Sequence, residues 1–259
     1  MDIIEQAKKV ATNSVKEAGA ILMDHLEEVK NRSFKSKHDI VTEIDLKSEK
    51  LMCDNIKANF PDHSILSEEK GFADHHSKYI WVMDPIDGTI NYYYGASPFR
   101  VGLCLLKDKE PIITALYNPV KDQLYFAEKG HGATLNGKPI KISNISELSE
   151  AVVMTHFSSK KEARARTIVS LEKVFKETMQ IRVFGSGLAS MCYVAQGQFD
   201  IFVNVKTNPW DILPGSLLVE EAGGIVTDIK GNKITYESDS VLATSGKVHQ
   251  ETLKLLEDM

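Results

Sequence analysis

Cysteine is scarce in this chain of 259 residues: Cys53, Cys104 and Cys192 are the three it has, far apart and without a C-x-x-C pair. A disulfide framework and a structural zinc site are therefore not expected, and the three read as buried, reduced thiols. Long apolar runs are missing too. No stretch approaches the ~18 apolar residues of a membrane span. The opening MDIIEQAKKV carries an early acid and a helical pattern in place of the basic n-region and apolar core of an export signal. The expectation is a cytoplasmic protein with no membrane partner. Positive charge is the minority sign, with 31 Lys and Arg against 36 Asp and Glu for a net charge of −5, and the lysines are scattered. The basic stripe of a nucleic-acid binder is absent, so no nucleic-acid partner is expected. An acidic chain that handles an anionic substrate needs metal ions or local dipoles to offset the repulsion. There is also no internal repeat, low-complexity tract or Pro/Gly/Ser-rich linker. Residues 1–259 are accordingly read as a single domain whose halves, about 1–145 and 146–259, pack as one unit.

What is present, 42% hydrophobic and 26% charged residues, suits a globular chain of mixed α and β structure. Residues 2–30 repeat apolar positions at three and four (Ile4, Ala7, Ala11, Val15, Ala18, Leu22, Leu26), the pattern of an amphipathic helix. A second helix is expected after Thr42, whose hydroxyl stands in capping-box spacing with Asp45. Strand patterns follow at 64–67, 80–83, 99–106, 112–117 and 123–127. The short spacers KDKE and NPVKD read as hairpin connections, so the first sheet should be largely antiparallel, with a further tight turn at Asn136-Gly137. After about residue 145 strands and helices alternate: 152–155, 160–178, 181–184, 188–195, 200–205 and 212–222. Short strands at 225–227 and 241–243 then precede a terminal helix from Val248. The fold class is α/β (α+β).

The chemistry concentrates in IWVMDPIDGTIN, residues 80–91. Ile80 to Met83 read as a buried strand, and Pro85 biases Asp84 toward extended backbone and blocks a helix, which leaves Asp84 at a strand end. Gly88 permits a sharp turn, so Asp87 and Thr89 fall where a helix would begin, with N–H groups available to an anion. Other acids gain interest only beside this motif. Glu68-Glu69 follow the apolar Ile65-Leu66 and Ser67. Taken singly, that pair is a solvated loop, Asp211 is an ordinary N-cap, and Asp45 is a first-turn acid favoured by the helix dipole. Tyr92, Tyr93 and Tyr94 read as packing. His75-His76 belong to a polar loop, Gly71 to Lys78, expected to lie over the metal site as a lid.

Four segments, DIVTEID at 39–45, SEE at 67–69, DPIDGTIN at 84–91 and WDILPGSLLVEEAGG at 210–224, together resemble the inositol monophosphatase family of Mg²⁺-dependent, lithium-sensitive phosphomonoesterases. The resemblance runs nearly end to end. It implies a layered α-β-α-β-α sandwich, commonly homodimeric, that hydrolyses a small phosphorylated polyol or sugar with a metal-activated water. It assigns Glu68, Asp84 and the carbonyl of Ile86 to a first metal, has Asp84 bridge to a second held by Asp87 and Asp211, and puts Glu69 in the outer shell. Two or three Mg²⁺ ions are implied, with Mn²⁺ able to substitute. Hard oxygen ligands and near-octahedral geometry agree with that choice. Thr89, paired with Asp45, orients the water and helps take its proton, and the N–H groups of Gly88 and Thr89 hold phosphate oxygens. Gly185, Ser186 and Gly187 match the segment that contacts substrate hydroxyls. Inositol-specific members carry Glu seven residues before the W-D aspartate, where this chain has Asn204, which hydrogen-bonds a hydroxyl but bears no charge. Fructose 1,6-bisphosphate, other sugar phosphates, 3′-phosphoadenosine 5′-phosphate and histidinol phosphate stay open as substrates, and Lys37 or Lys206 could meet an extra phosphate. A regulatory or binding role without catalysis is the other class, disfavoured because every metal ligand is present.

Overall fold

The computed structural model describes residues 2–26, 32–36, 39–158 and 161–256. The first helix, α1 (Ile3–His25), starts at Asp2, whose carboxylate accepts from the Ile4 N–H, and it buries Ala7, Ala11, Val15, Ala18 and Leu22 along one stripe. A hairpin that the sequence patterns did not suggest, β1 (Arg32–Ser36) and β2 (Asp39–Thr42), leads directly into α2 (Glu43–Asn59). Thr42 caps α2 in the anticipated box: its hydroxyl accepts from the N–H groups of Ile44 and Asp45, and the Asp45 carboxylate accepts from the Thr42 N–H.

The first sheet follows from the next segments: β3 (Ser64–Ser67), β4 (Gly71–Ala73), β5 (Tyr79–Asp87), the single-turn helix α3 (Thr89–Tyr93), β6 (Arg100–Lys107), β7 (Glu110–Asn118), β8 (Gln123–Glu128), β9 (Gly132–Leu135) and β10 (Lys138–Pro139). Its order is β10-β9-β8-β7-β6-β5-β3-β4, and only β3 and β5 run parallel. The second half supplies β11 (Val152–Thr155), α4 (Lys161–Glu177), β12 (Gln180–Val183), α5 (Gly187–Ala195), β13 (Ile201–Asn204), α6 (Pro209–Glu221), β14 (Ile225–Thr227), β15 (Val241–Thr244) and α7 (His249–Leu256). These strands form a mixed sheet of order β12-β11-β13-β15-β14. Among the described residues no helix is long and apolar enough to cross a membrane.

Five layers result. Helices α1 and α2 cover one face of the first sheet over a core that includes Trp81, Met83, Leu103 and Leu105. Helices α5 and α6 lie between the sheets, where Val82, Cys104, Leu116, Met191, Phe202, Ile212 and Leu218 form a second core. On the outer face of the second sheet α4 and α7 close a third around Val153, Ile201, Val203 and Leu242. The middle layer is thin because Gly215 of α6 lets α5 come close: a Cβ at 215 would lie 2.7 Å from Met191 Cβ, nearer than packed carbons approach. All three cysteines are buried free thiols.

One strand departs from expectation in a way that shapes the site. The expected end at Met83 is not an end, since β5 continues through Asp84-Pro85 to Asp87. Pairing with β6 breaks between Asp84 and Asp87 and resumes at Asp87 opposite Arg100. A proline, lacking a ladder N–H, is tolerated at such a bulge.

Candidate active site

The bulge turns Pro85 and Ile86 out of the ladder, and hydrogen bonds hold the segment there. The Ile86 N–H donates to Asp84 Oδ1 at 3.0 Å, Ser48 Oγ of α2 donates to the Pro85 carbonyl at 3.2 Å, and the Thr89 hydroxyl lies 2.9 Å from the Ile86 carbonyl. Gly88 completes the turn at φ +93°, and a Cβ there would also press on the Pro98 carbonyl at 3.1 Å, so backbone and space both require glycine. Asn91 fastens α3 across the cleft floor, its amide donating to the carbonyls of Pro98 and Phe184, each at 2.7 Å.

Three carboxylates then share one arrangement, each helping to start a helix: Asp87 and Asp211 also line the cleft, and Asp45 stands behind Thr89, which does. Asp45 Oδ2 accepts from the Thr42 N–H at 2.8 Å, while Asp45 Oδ1 stands 3.1 Å from the Thr89 hydroxyl. The two jobs read for Asp45 fall on its two oxygens. Asp87 accepts from the Gly187 and Leu188 N–H groups at 3.0 and 2.8 Å and from the Ser186 hydroxyl, so it closes the start of α5. Asp211 Oδ2 accepts from the Asn208 N–H at 3.0 Å and the Thr207 hydroxyl at 2.8 Å at the start of α6. One oxygen each from Asp84, Asp87 and Asp211 comes within 4.8 Å of the others. Glu68 joins Asp84 from the end of β3.

Electrostatics asks for a cation here. Burial, and then the negative charges of Glu68, Asp87 and Asp211, push the Asp84 carboxyl well above its ordinary range. Burial raises Asp87 as well, opposed by the Ser186 hydroxyl and the N–H groups of α5. Burial likewise raises Asp211, with His156 pulling it down and Asp87 pushing it up. Carboxylates this close cannot all ionise cheaply without positive charge between them. The donors are oxygens from carboxylates, with a backbone carbonyl beside them, a set that suits a hard divalent ion better than zinc. The residues present therefore fit a metal ion.

The cleft above this cluster encloses about 330 Å³, and Glu68, Asp84, Ile86, Asp87, Gly88, Thr89, Gly185 and Asp211 of the anticipated residues line it. Others stand elsewhere. Glu69 is not among the residues that line the cleft, and its N–H donates to Glu49 Oε2 at 2.8 Å. Ser186 is fully buried and gives its hydroxyl to Asp87, which leaves it no face toward a substrate. Asn204 is likewise fully buried, behind the cleft wall, 2.9 Å from His156 Nε2. Lys206 lines the cleft, ion-paired to Asp239. Lys37 lies outside the described residues. None of residues 71–78, expected as a lid, lines the cleft. Gly71 (φ +73°) folds the segment back as edge strand β4, and Ser64 Oγ and Asp74 pin the residues after it.

Four residues escaped the sequence reading. His156, directly after β11, lines the cleft, and burial holds its imidazole below the ordinary value against the raising effect of Asp211. Asn91 was visible within the main motif but gave no sign of its bridging role. Ser48 and Glu49 follow Asp45 by three and four positions on a helix, a spacing that shows they share its face.

Comparisons with known proteins place the whole chain in a family. The model of the inositol monophosphatase family matches residues 4–259. The chain is 35% identical to a fructose-1,6-bisphosphatase/inositol-1-monophosphatase of Thermotoga maritima over 95% of this chain and 93% of that one. It is 32% identical to a Nus factor SuhB of Xylella fastidiosa, covering 87% of this chain and 82% of the relative. The crystal structure of the extragenic suppressor protein SuhB from Bartonella henselae superposes with a TM-score of 0.91 at 29% identity, covering 96% of this chain and 97% of that one.

Proposed function

Since the chain belongs to the inositol monophosphatase family of phosphomonoesterases, we propose that it performs Mg²⁺-dependent hydrolysis of a small polyol or sugar phosphate at this cleft. The observation that carries the reading is the convergence of Asp84, Asp87 and Asp211 within 4.8 Å, next to Thr89 backed by Asp45.

Glu68, Asp84, Asp87, Asp211 and the carbonyl of Ile86 would hold the ions. Bound there, divalent cations supply positive charge to the phosphate and to the attacking and leaving oxygens of an in-line displacement. The protein's part is positional. Thr89 Oγ1 has one hydrogen and two acceptors in reach, Asp45 Oδ1 and the Ile86 carbonyl. Donating to Asp45 turns its lone pairs to the cleft, where they take the hydrogen of an attacking water while the hydroxyl hydrogen passes toward Asp45. Asp45 suits that acceptor role because it is wholly buried and its other oxygen is already held by Thr42. Ser186 keeps Asp87 in place, and Gly88 brings main chain to the phosphate without a side chain in the way. Because the cleft draws residues from both halves, residues 1–259 act as one catalytic unit. Phe175, Met179 and Val183 are exposed on and after α4 and along β12, which is an edge strand. Such a face supports the homodimer reading.

The bisphosphatase activity in the Thermotoga relative's name keeps fructose 1,6-bisphosphate beside inositol phosphate as a candidate substrate, and 3′-phosphoadenosine 5′-phosphate and histidinol phosphate belong in the same panel. The relatives called Nus factors make a non-catalytic role the alternative. Phosphate release from these esters, with and without Mg²⁺ and Li⁺, separates the readings. Release that requires Mg²⁺ and falls with Li⁺ is expected, together with Mg²⁺ binding by calorimetry. No release from any ester overturns the catalytic reading.

A further inference from the structure

The structure assigns the recognition of the substrate's alcohol part to His156: we propose that its Nδ1–H donates to an oxygen of that alcohol, with Asn204 fixing the tautomer from behind. This rests on the phosphatase reading and adds a specificity-determining residue to it.

Three links carry the argument. The Lys206 N–H lies 3.3 Å from Asn204 Oδ1, which identifies that atom as the amide oxygen and turns Nδ2 toward His156. Nδ2 has only hydrogens to offer, so at 2.9 Å His156 Nε2 must be the acceptor. A neutral imidazole that accepts at Nε2 carries its hydrogen at Nδ1. Asn204 is fully buried, so water does not compete for these bonds.

Nδ1 is then an orphan donor. It is closed to solvent and has no hydrogen-bond partner among the described residues, yet His156 is one of the residues that line the cleft. A buried donor without a partner is destabilising, and such groups are rare enough to call for a reason. A substrate oxygen supplies one. The contact forms when the substrate enters and the wall adjusts, as binding-site hydrogen bonds commonly tighten only in the complex. The same geometry explains what Asn204 does: it cannot reach a ligand itself, but it decides whether the cleft meets a donor or an acceptor at His156.

Two probes separate this from a structural role. Inositol 1-phosphate has oxygens beyond the ester, and phenyl phosphate has none. His156→Phe keeps a ring and removes the donor, and His156→Asn returns a donor where Nδ1 stood. The expected result is a loss of ~10-fold in kcat/KM on inositol 1-phosphate for His156→Phe, the scale of one lost hydrogen bond. Phenyl phosphate should lose far less than inositol 1-phosphate, and His156→Asn should recover most of the loss on inositol 1-phosphate. Equal loss on both esters, or no loss on either, overturns the assignment. Nitrogen-15 spectra of the histidine-labelled full chain test the tautomer without any turnover: Nδ1 protonated is expected, and Nε2 protonated overturns it. If the unaltered protein releases phosphate from no ester, the phosphatase reading fails and the contact with it, whereas a wrong tautomer sinks this inference alone.

Discussion

The two walls of the cleft are built differently. On the side proposed to hold the phosphate, Asp84, Asp87 and Thr89 come from one run of six residues and are held by backbone N–H groups, carbonyls and helix starts. On the side proposed for the alcohol, His156 follows β11 while Asn204 and Lys206 stand at the end of β13, and two side-chain pairs, Asn204 with His156 and Lys206 with Asp239, hold it together beside one main-chain bond from the Lys206 N–H to Asn204. Backbone anchors constrain which chemistry is done, because a helix start demands an acceptor whatever the substrate. Side chain pairs can be exchanged without disturbing an element. A fold organised this way keeps its reaction and varies its substrate.

Substitutions graded by expected effect can break or sharpen that contrast. Asp84→Asn should remove turnover on every ester, because it neutralises the most buried acid of the cluster, and full Mg²⁺-dependent phosphate release by that variant would sink the metal assignment. Thr89→Ala should lower kcat by ~10²-fold, the usual scale of positioned proton transfer, with KM little changed. If only KM rises, Thr89 binds substrate and does not handle the proton. Glu49→Ala should weaken Mg²⁺ binding by roughly tenfold in calorimetry, since it frees the Glu68-Glu69 turn that Glu49 holds through the Glu69 N–H. Glu49→Gln keeps an acceptor and should restore most of that affinity. The mildest effect on catalysis is expected away from both walls, in the layer between the sheets. Gly215→Ala forces a methyl against Met191 and should cost about 1–3 kcal/mol of stability, seen as a lower midpoint in thermal unfolding. Substrate preference should stay as it was, and a shifted preference would mean that the walls are not independent.

Much of the fold was legible because its signals are local. The period of α1, the capping box at Thr42 and the short hairpin spacers are statements about neighbours in the chain, and the structure follows them. The end of β5 was misplaced because Pro85 reads as a stop, whereas pairing with β6 resumes beyond it. Within the site, the acids of the main motif could be found for the same local reason. Ser186 could not be judged: a Gly-Ser-Gly helix entry looks the same whether its hydroxyl faces a ligand or a carboxylate 99 residues away. His156 left no mark because its importance arises where β11 and β13 lie side by side, which sets the residue after Thr155 against Asn204. No spacing along the chain announces that pairing.

Asp45, Asp87 and Asp211 each serve a helix start and the cleft together, and this shapes how such a sequence can drift. On the proposed mechanism a change at any of the three would be felt at once as lost thermal tolerance and as lost turnover, so neither pressure could relax while the other persisted. Each acid is thereby guarded twice. His156 has no such second duty, and it is the position where a descendant of this chain could acquire a new substrate at the smallest risk to its fold.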